Sequence, residues 1–268
     1  MPHASADGAQ LYYEVHGSGD PLLMIPGFGS TTLVYFANIA PLAERFKVIV
    51  FDPRGSGRSD VPSSGYSMQG FVDDCVSVLS AAGEASAHVA AASFGGMVAQ
   101  NLALTYPERV RRLVLICTTP GGPHHVSPPP EQMAVFLAAA DIPDPAAAAR
   151  STYPLHYGDA YIAEHDAAIV ERSLANAHLR SKLEGRIGQL TAVSQHDTLD
   201  RLPKLSTATL ILHGQHDGIV PVENSRKMAA AIPNARIKIY PDAKHIVFTE
   251  CADELNRDII EFLTENER

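Results

Sequence analysis

Apolar residues fall into two rhythms along this chain. Six short runs have the length of strands: Pro21-Leu22-Leu23-Met24-Ile25, Lys47-Val48-Ile49-Val50-Phe51, Val89-Ala90-Ala91-Ala92, Leu113-Val114-Leu115-Ile116-Cys117, Ala208-Thr209-Leu210-Ile211-Leu212 and Arg236-Ile237-Lys238-Ile239-Tyr240. Near-continuous apolar runs mark strands covered on both faces, as in a parallel sheet. Between runs the spacing turns helical. Phe71, Cys75, Val78, Leu79 and Ala82 share one face of a helix that Ser67 can cap. Further helices are expected over 31–45, capped by Thr31 or Thr32, from Ser93 to about Tyr106, up to about Ala231, and over 249–263. Near the start, Leu11, Tyr13 and Val15 alternate with more polar residues after an Asp7-Gly8 turn. That reads as a half-exposed antiparallel strand, with a short first strand before the turn. Strands alternating with helices predict an α/β fold: a mostly parallel, doubly wound, eight-stranded sheet with helices on both faces.

The rhythm breaks at Thr119-Pro120-Gly121-Gly122-Pro123. From 122 to 200 no strand pattern recurs. The composition is helical over 131–140, 145–151, 160–175 and 179–193, punctuated by Pro128-Pro129-Pro130, Pro143 and Pro145. We read 122–200 as a helical cap inserted into a core made of 1–121 and 201–268. The insert holds ten Asp and Glu against five Lys and Arg, more than half of the chain's net charge of −9. An acidic cap disfavours strongly anionic substrates, weakly because solvent screens surface charge.

Composition narrows the function. A chain of 268 residues with this acidity lacks the basic footprint of a nucleic-acid partner. No run approaches the roughly 18 apolar residues of a membrane span. Met1-Pro2-His3-Ala4-Ser5 has no basic region leading into an apolar core, so no secretory signal is expected. Cys75, Cys117 and Cys251 are far apart and odd in number, which suits a reducing compartment. A cytoplasmic protein acting on a small molecule, with no membrane partner, is the expectation. Cys75 and Cys117 read as small core residues.

Candidate chemistry clusters just after strands, at the edge where open parallel sheets build their sites. Ser93 ends the Val89 run, with small residues two before it (Ala91) and two after it (Gly95). That is the layout of a sharp strand-to-helix turn carrying a nucleophile. Asp217 follows the Leu210 strand and His245 the last strand. A serine hydroxyl is a poor nucleophile until a neutral imidazole takes its proton, and a carboxylate on the far ring nitrogen fixes the tautomer. Pro26-Gly27-Phe28-Gly29-Ser30 leaves backbone N–H groups free to face a ligand. Asp52-Pro53-Arg54-Gly55-Ser56-Gly57-Arg58-Ser59-Asp60 lacks the ending of a phosphate-binding loop, and its Asp52, Arg54 and Arg58 read as structural. His216 is a rival base and His213 a packed or capping histidine. The cap histidines, 124, 125, 156, 165, 178 and 196, fit no zinc spacing. His124, His156 and Tyr157 are candidates to line a pocket. No cofactor motif and no metal set are read.

Taken in order, Pro26-Gly27-Phe28-Gly29, Asp52-Pro53-Arg54-Gly55-Ser56-Gly57-Arg58-Ser59, Ala91-Ala92-Ser93-Phe94-Gly95-Gly96, His213-Gly214-Gln215-His216-Asp217 and His245 resemble the α/β-hydrolase superfamily in its capped branch. The resemblance spans about 10–262 and leaves the cap unmatched. It implies Ser93 as nucleophile, His245 as base and Asp217 as its orienting acid, with the backbone N–H groups of Phe28 and Phe94 as the oxyanion hole. Two departures stand out: Ala91 where Gly is usual, and Pro26 where His is frequent. The function implied is a serine hydrolase of a carboxylic ester or lactone of a mainly apolar small molecule, working through an acyl-enzyme without a cofactor. One alternative is a carbon–carbon bond hydrolase of a diketone-type ring-cleavage product, although Ile246 stands where many of those carry Trp. Perhydrolase and lyase chemistry use a similar triad. A different class is a ligand-sensing protein with a retained triad.

Overall fold

The eight strands join into one sheet in the computed structural model, which describes residues 2–265. They are β1 His3–Ala6, β2 Ala9–His16, β3 Asp20–Ile25, β4 Phe46–Phe51, β5 Ala87–Ala92, β6 Val110–Ile116, β7 Thr209–Gly214 and β8 Arg236–Tyr240. Their spatial order is β1-β2-β4-β3-β5-β6-β7-β8. β2 pairs antiparallel with both β1 and β4, and every pairing from β4 across to β8 is parallel. The α/β class and the eight-stranded, mostly parallel sheet are therefore as expected. The helices are α1 Ile39–Ala43, α2 Met68–Ala81, α3 Phe94–Thr105, α4 Pro130–Ala138, α5 Pro145–His156, α6 Asp159–Ala175, α7 Leu183–Ser194, α8 Glu223–Ala231, α9 Val247–Glu250 and α10 Ala252–Thr264.

The unbroken apolar runs have a physical reason. Successive side chains of a strand point to opposite faces, and here both faces are covered. Leu23, Val89 and Leu115 pack with Leu79 of α2, Leu102 of α3 and Met228 of α8. Leu22, Ala90 and Val114 pack with Leu42 of α1 and Leu255 and Ile259 of α10. Each fully buried Leu or Ile contributes about 1.5–3 kcal/mol. That burial fixes the register on which the strand ends, and hence the site, depend.

Between β6 and β7 the chain is helical, α4 to α7. An isolated bridge joins Gly121 to Asp197 where this segment leaves and rejoins the sheet. Four helix ends differ from the sequence reading, each for a local reason. The single helix expected over 31–45 is a 3₁₀ turn, Thr32–Tyr35, followed by α1. Pro41 has no N–H to give residue 37 and its ring crowds that carbonyl, so one helix cannot span both parts. α5 runs on to His156 through Pro154, which is exposed and sits in the last turn. α7 starts at Leu183 rather than near 179, because Ser181 is bonded to Gly29 and Ser56 and residues 180–182 stay extended. The closing helix is broken at Cys251, where φ −117° and ψ 36° separate α9 from α10.

Candidate active site

Ser93 sits at the C-terminal end of β5, in the middle of the sheet, with φ 53° and ψ −118°. That left-handed conformation is strained for a residue with a Cβ, and the surroundings hold it in place. Ser93 N–H donates to the Ile116 carbonyl at 2.8 Å, and the Ser93 carbonyl accepts from Thr118 Oγ1 at 2.7 Å. Gly95 is obligatory here: a Cβ would lie 2.2 Å from the Ile25 carbonyl oxygen and 2.6 Å from that of Pro26. Ala91 is fully buried in the sheet, so the departure from Gly is accommodated. Tyr35 ties the ends of β3 and β5 together, its hydroxyl donating to the Ile25 carbonyl at 2.8 Å and accepting from Ala92 N–H at 3.1 Å. The loop after β3 is thereby registered against the serine turn. Phe94 is the first residue of α3, where helix geometry leaves the amide without an intrahelical partner. Its ring is buried edge-on against Phe71, with centroids 4.9 Å apart.

Asp217 and His245 come from the ends of β7 and β8. The two loops are stitched by backbone bonds from Gln215 N–H to Tyr240 and from His216 N–H to Ala243. Gly214 allows that approach, since a Cβ there would lie 2.2 Å from the Lys244 carbonyl oxygen. His245 Nδ1 lies 2.7 Å from Asp217 Oδ2. Asp217 Oδ1 accepts from the N–H groups of Ile219 and Val220, both at 2.8 Å. Burial opposes ionisation of this carboxyl, yet His245 and the hydrogen bonds from His213 and His245 hold it well below the usual carboxylate range.

Ser93 and His245 line one cavity of about 150 Å³, together with Phe28, Phe136, Ile246 and Phe248. Two larger cavities, about 330 and 250 Å³, adjoin it and reach into the helical segment. His156 of α5 lines all three. Its ring stacks on His245 at 6.1 Å, and burial, reinforced by His245, pushes it down to about 3, so it stays neutral. Tyr157 lines the cavity of about 330 Å³, while His124 is exposed elsewhere. His216 has its side chain in solvent.

His213 is more than a packed residue. Its Nε2 lies 3.1 Å from Asp217 Oδ2 and 2.8 Å from the Val220 carbonyl, and Ser225 Oγ is 2.6 Å from Nδ1. Two acceptors at Nε2 place the proton there, so Asp217 receives a second imidazole N–H. The only trace in sequence is the four-residue spacing of His213 and Asp217 across a strand end, where no periodicity rule applies. Cys117, with φ 46°, completes a buried cluster: its sulfur and ligand atoms of His213 and Asp217 lie within 4.8 Å of one another. The His213 and Asp217 atoms of that cluster are already engaged in the hydrogen bonds just given.

Asp52, Arg54 and Arg58 are structural, as read. Arg54 pairs in two-pronged fashion with Asp74, both nearly inaccessible to solvent, and also donates to the carbonyls of Gly65 and Asp7. Asp52 accepts from Thr32 N–H and from Arg58.

A protein provisionally named a carbamate hydrolase, from Azorhizobium caulinodans, is 30% identical over 265 residues, covering 99% of each chain. A non-heme haloperoxidase from Rhodococcus erythropolis is 29% identical over 273 residues, covering 98% of this chain and 99% of its own. Among solved structures, a thermophilic esterase from Thermogutta terrifontis matches with a TM-score of 0.83 and 27% identity, covering 98% of each chain. The family, the carbamate hydrolase and the esterase support a hydrolytic enzyme. A family model described as the alpha/beta hydrolase fold matches residues 20–251, through both halves of the sheet and the segment between them, and the chain belongs to that family.

Proposed function

We propose that the chain is a serine hydrolase that cleaves a carboxylic ester or lactone of a mainly apolar small molecule through an acyl-enzyme. The observation that carries this reading is His245, which lines the same cavity as Ser93 in its strained turn and is held from behind by Asp217 at 2.7 Å. His245 Nε2 takes the Ser93 proton as Oγ bonds to the substrate carbonyl carbon. The resulting oxyanion is held by the N–H groups of Phe28 and Phe94. His245 returns the proton to the departing alkoxide, which stays attached to the acyl group when the substrate is a lactone. Water, deprotonated by His245, then hydrolyses the acyl-enzyme and frees Ser93. Asp217 stays ionised throughout and stabilises the imidazolium. Phe28, Val34, Phe136, Ile246 and Phe248 supply an apolar lining, in keeping with an apolar substrate.

The test is a screen of aryl and alkyl esters of graded acyl length and of lactones, with Ser93→Ala as the blank and a fluorophosphonate probe as the label. Turnover by the parent chain, none by Ser93→Ala, and labelling at Ser93 alone are expected. Undiminished hydrolysis by Ser93→Ala would refute the mechanism. Rapid multiple turnover separates the enzyme from a sensor, which would retain its ligand.

A further inference from the structure

The loop that carries the Phe28 N–H is gripped from outside the core. Ser30 N–H donates to the Gly27 carbonyl at 3.2 Å, so 27–30 is a tight turn with Gly29 in its third position. Gly29 has φ 63°, the sign that a type II turn demands there and a type I turn forbids. The two turn types differ by a flip of the central peptide, the Phe28 carbonyl with the Gly29 N–H. That N–H donates to Gln189 Oε1 of α7 at 2.8 Å. The Gly29 carbonyl accepts from Ser181 Oγ at 2.9 Å. Both backbone groups of Gly29 are therefore held by the segment 122–200.

The gripping side chains are themselves fixed. Gln189 is fully buried, and its Nε2 donates to the Arg54 carbonyl at 3.2 Å and to Ser56 Oγ at 3.0 Å. Ser56 Oγ lies 2.8 Å from Ser181 Oγ. α7 meets the core at backbone distance: a Cβ on Gly185 would lie 2.1 Å from the Gly55 carbonyl oxygen. A buried polar network this fully satisfied has one low-energy arrangement.

We propose that Gln189 and Ser181 are positioning residues for the oxyanion donor loop, so that the oxyanion hole is complete only while α7 is seated on the core. The proposal rests on the acyl-enzyme reading above. It makes closure of the helical segment and readiness for chemistry one event, because the contacts that seat α7 also hold the turn beside the Phe28 amide.

The experiment uses Gln189→Met, Ser181→Ala and the double variant. Thr191→Ala serves as control, since Thr191 is exposed on α7 and bonds only its own helix. Each is assayed for kcat and KM on an ester that the parent hydrolyses, and for inhibition by an arylboronic acid, whose tetrahedral adduct with Ser93 mimics the oxyanion. Gln189→Met is expected to lower kcat about 10- to 100-fold, less than the roughly 100- to 1,000-fold of deleting an oxyanion donor outright. KM should change little, the boronate Ki should rise in proportion to the loss in kcat/KM, and Ser181→Ala should follow with a smaller loss. Unchanged kcat, a loss carried by KM alone, or a loss in kcat/KM with an unchanged boronate Ki would each overturn the proposal. If Gln189→Met does not fold, Ser181→Ala decides by the same criteria. Ser93-dependent turnover with unmoved clamp variants sinks the clamp alone, whereas Ser93-independent turnover sinks the reading beneath it.

Discussion

At the scale of single residues, Asp217 has the most constrained surroundings in the candidate site. One carboxylate oxygen faces His245 and His213, and the other takes two backbone N–H groups. Asp217→Asn keeps the shape but, with its oxygen needed by the Ile219 and Val220 N–H groups, puts its NH₂ group against the rings. It favours the His245 tautomer whose Nε2 already carries a proton and cannot accept one from Ser93. A fall in kcat of about 10⁴-fold, with KM little changed, is expected. Steady-state kinetics beside a melting curve check it, and a folded Asp217→Asn within tenfold of the parent would refute the assignment. Ser93, Asp217 and His245 were legible in the sequence because each follows a strand and their chain order is distinctive. His156 was legible only as one of three candidates to line a pocket, and the bond of His213 to Asp217 was not legible. His213 reaches Asp217 across the end of β7, where no periodicity rule applies, and His156 meets His245 only because the fold brings α5 over it.

Elements pose a different kind of test, because a helix can be right locally and wrong in its seating. Gly185 lies inside α7, where Ala is favoured over Gly by about 1 kcal/mol from helix propensity alone. Were α7 free of the core, Gly185→Ala would stabilise the chain. Its Cβ would instead meet the Gly55 carbonyl at 2.1 Å, rigid backbone against rigid backbone. Destabilisation by about 1–3 kcal/mol is expected, with faster proteolysis between 122 and 200. A rise in the urea midpoint would show that α7 does not sit on the 55 loop. The same contrast explains what the sequence revealed of the fold. The strands were legible because burial on both faces writes an unbroken apolar run. The ends of α5 and α7 were not, because they are set by tertiary bonds: Ser181 holds 180–182 extended, and Ile246 N–H docks on the His156 carbonyl where α5 stops. Clustered prolines marked the segment, but Pro154 stands inside α5 at the cost of one hydrogen bond to the Arg150 carbonyl, which a reading of proline as a stop does not foresee.

For the molecule as a whole, the buried imidazoles set the response to acid. Burial pushes His88 and His196 down to about 4 and His156 to about 3, against an unfolded value near 6.5. His88 Nδ1 is buried with no hydrogen-bond partner among the described residues, and its ring abuts Phe46. His196 accepts from Asn101 Nδ2 at Nδ1 and donates from Nε2 to the Thr119 carbonyl, so a second proton would break the Asn101 bond. Below pH of about 6.5 the unfolded chain binds protons that the native chain refuses. Stability is therefore fully present above that pH and lost as pH falls toward about 4. Each group contributes on the order of 1–2 kcal/mol of loss between pH of about 7 and about 5, a sizeable share of a typical domain's 5–15 kcal/mol. Asp217 adds to the loss only at lower pH, since its depressed carboxyl gives up its contribution below the ordinary carboxylate range. Urea midpoints measured across this window should fall steeply for the parent and less steeply for His88→Leu, which replaces the buried ring with an apolar side chain and removes one titrating group. His88→Leu is thus expected to gain on the parent as the solution becomes more acidic, whatever its stability at neutral pH. Parallel midpoint curves for the two chains would show that His88 does not resist protonation in the native state.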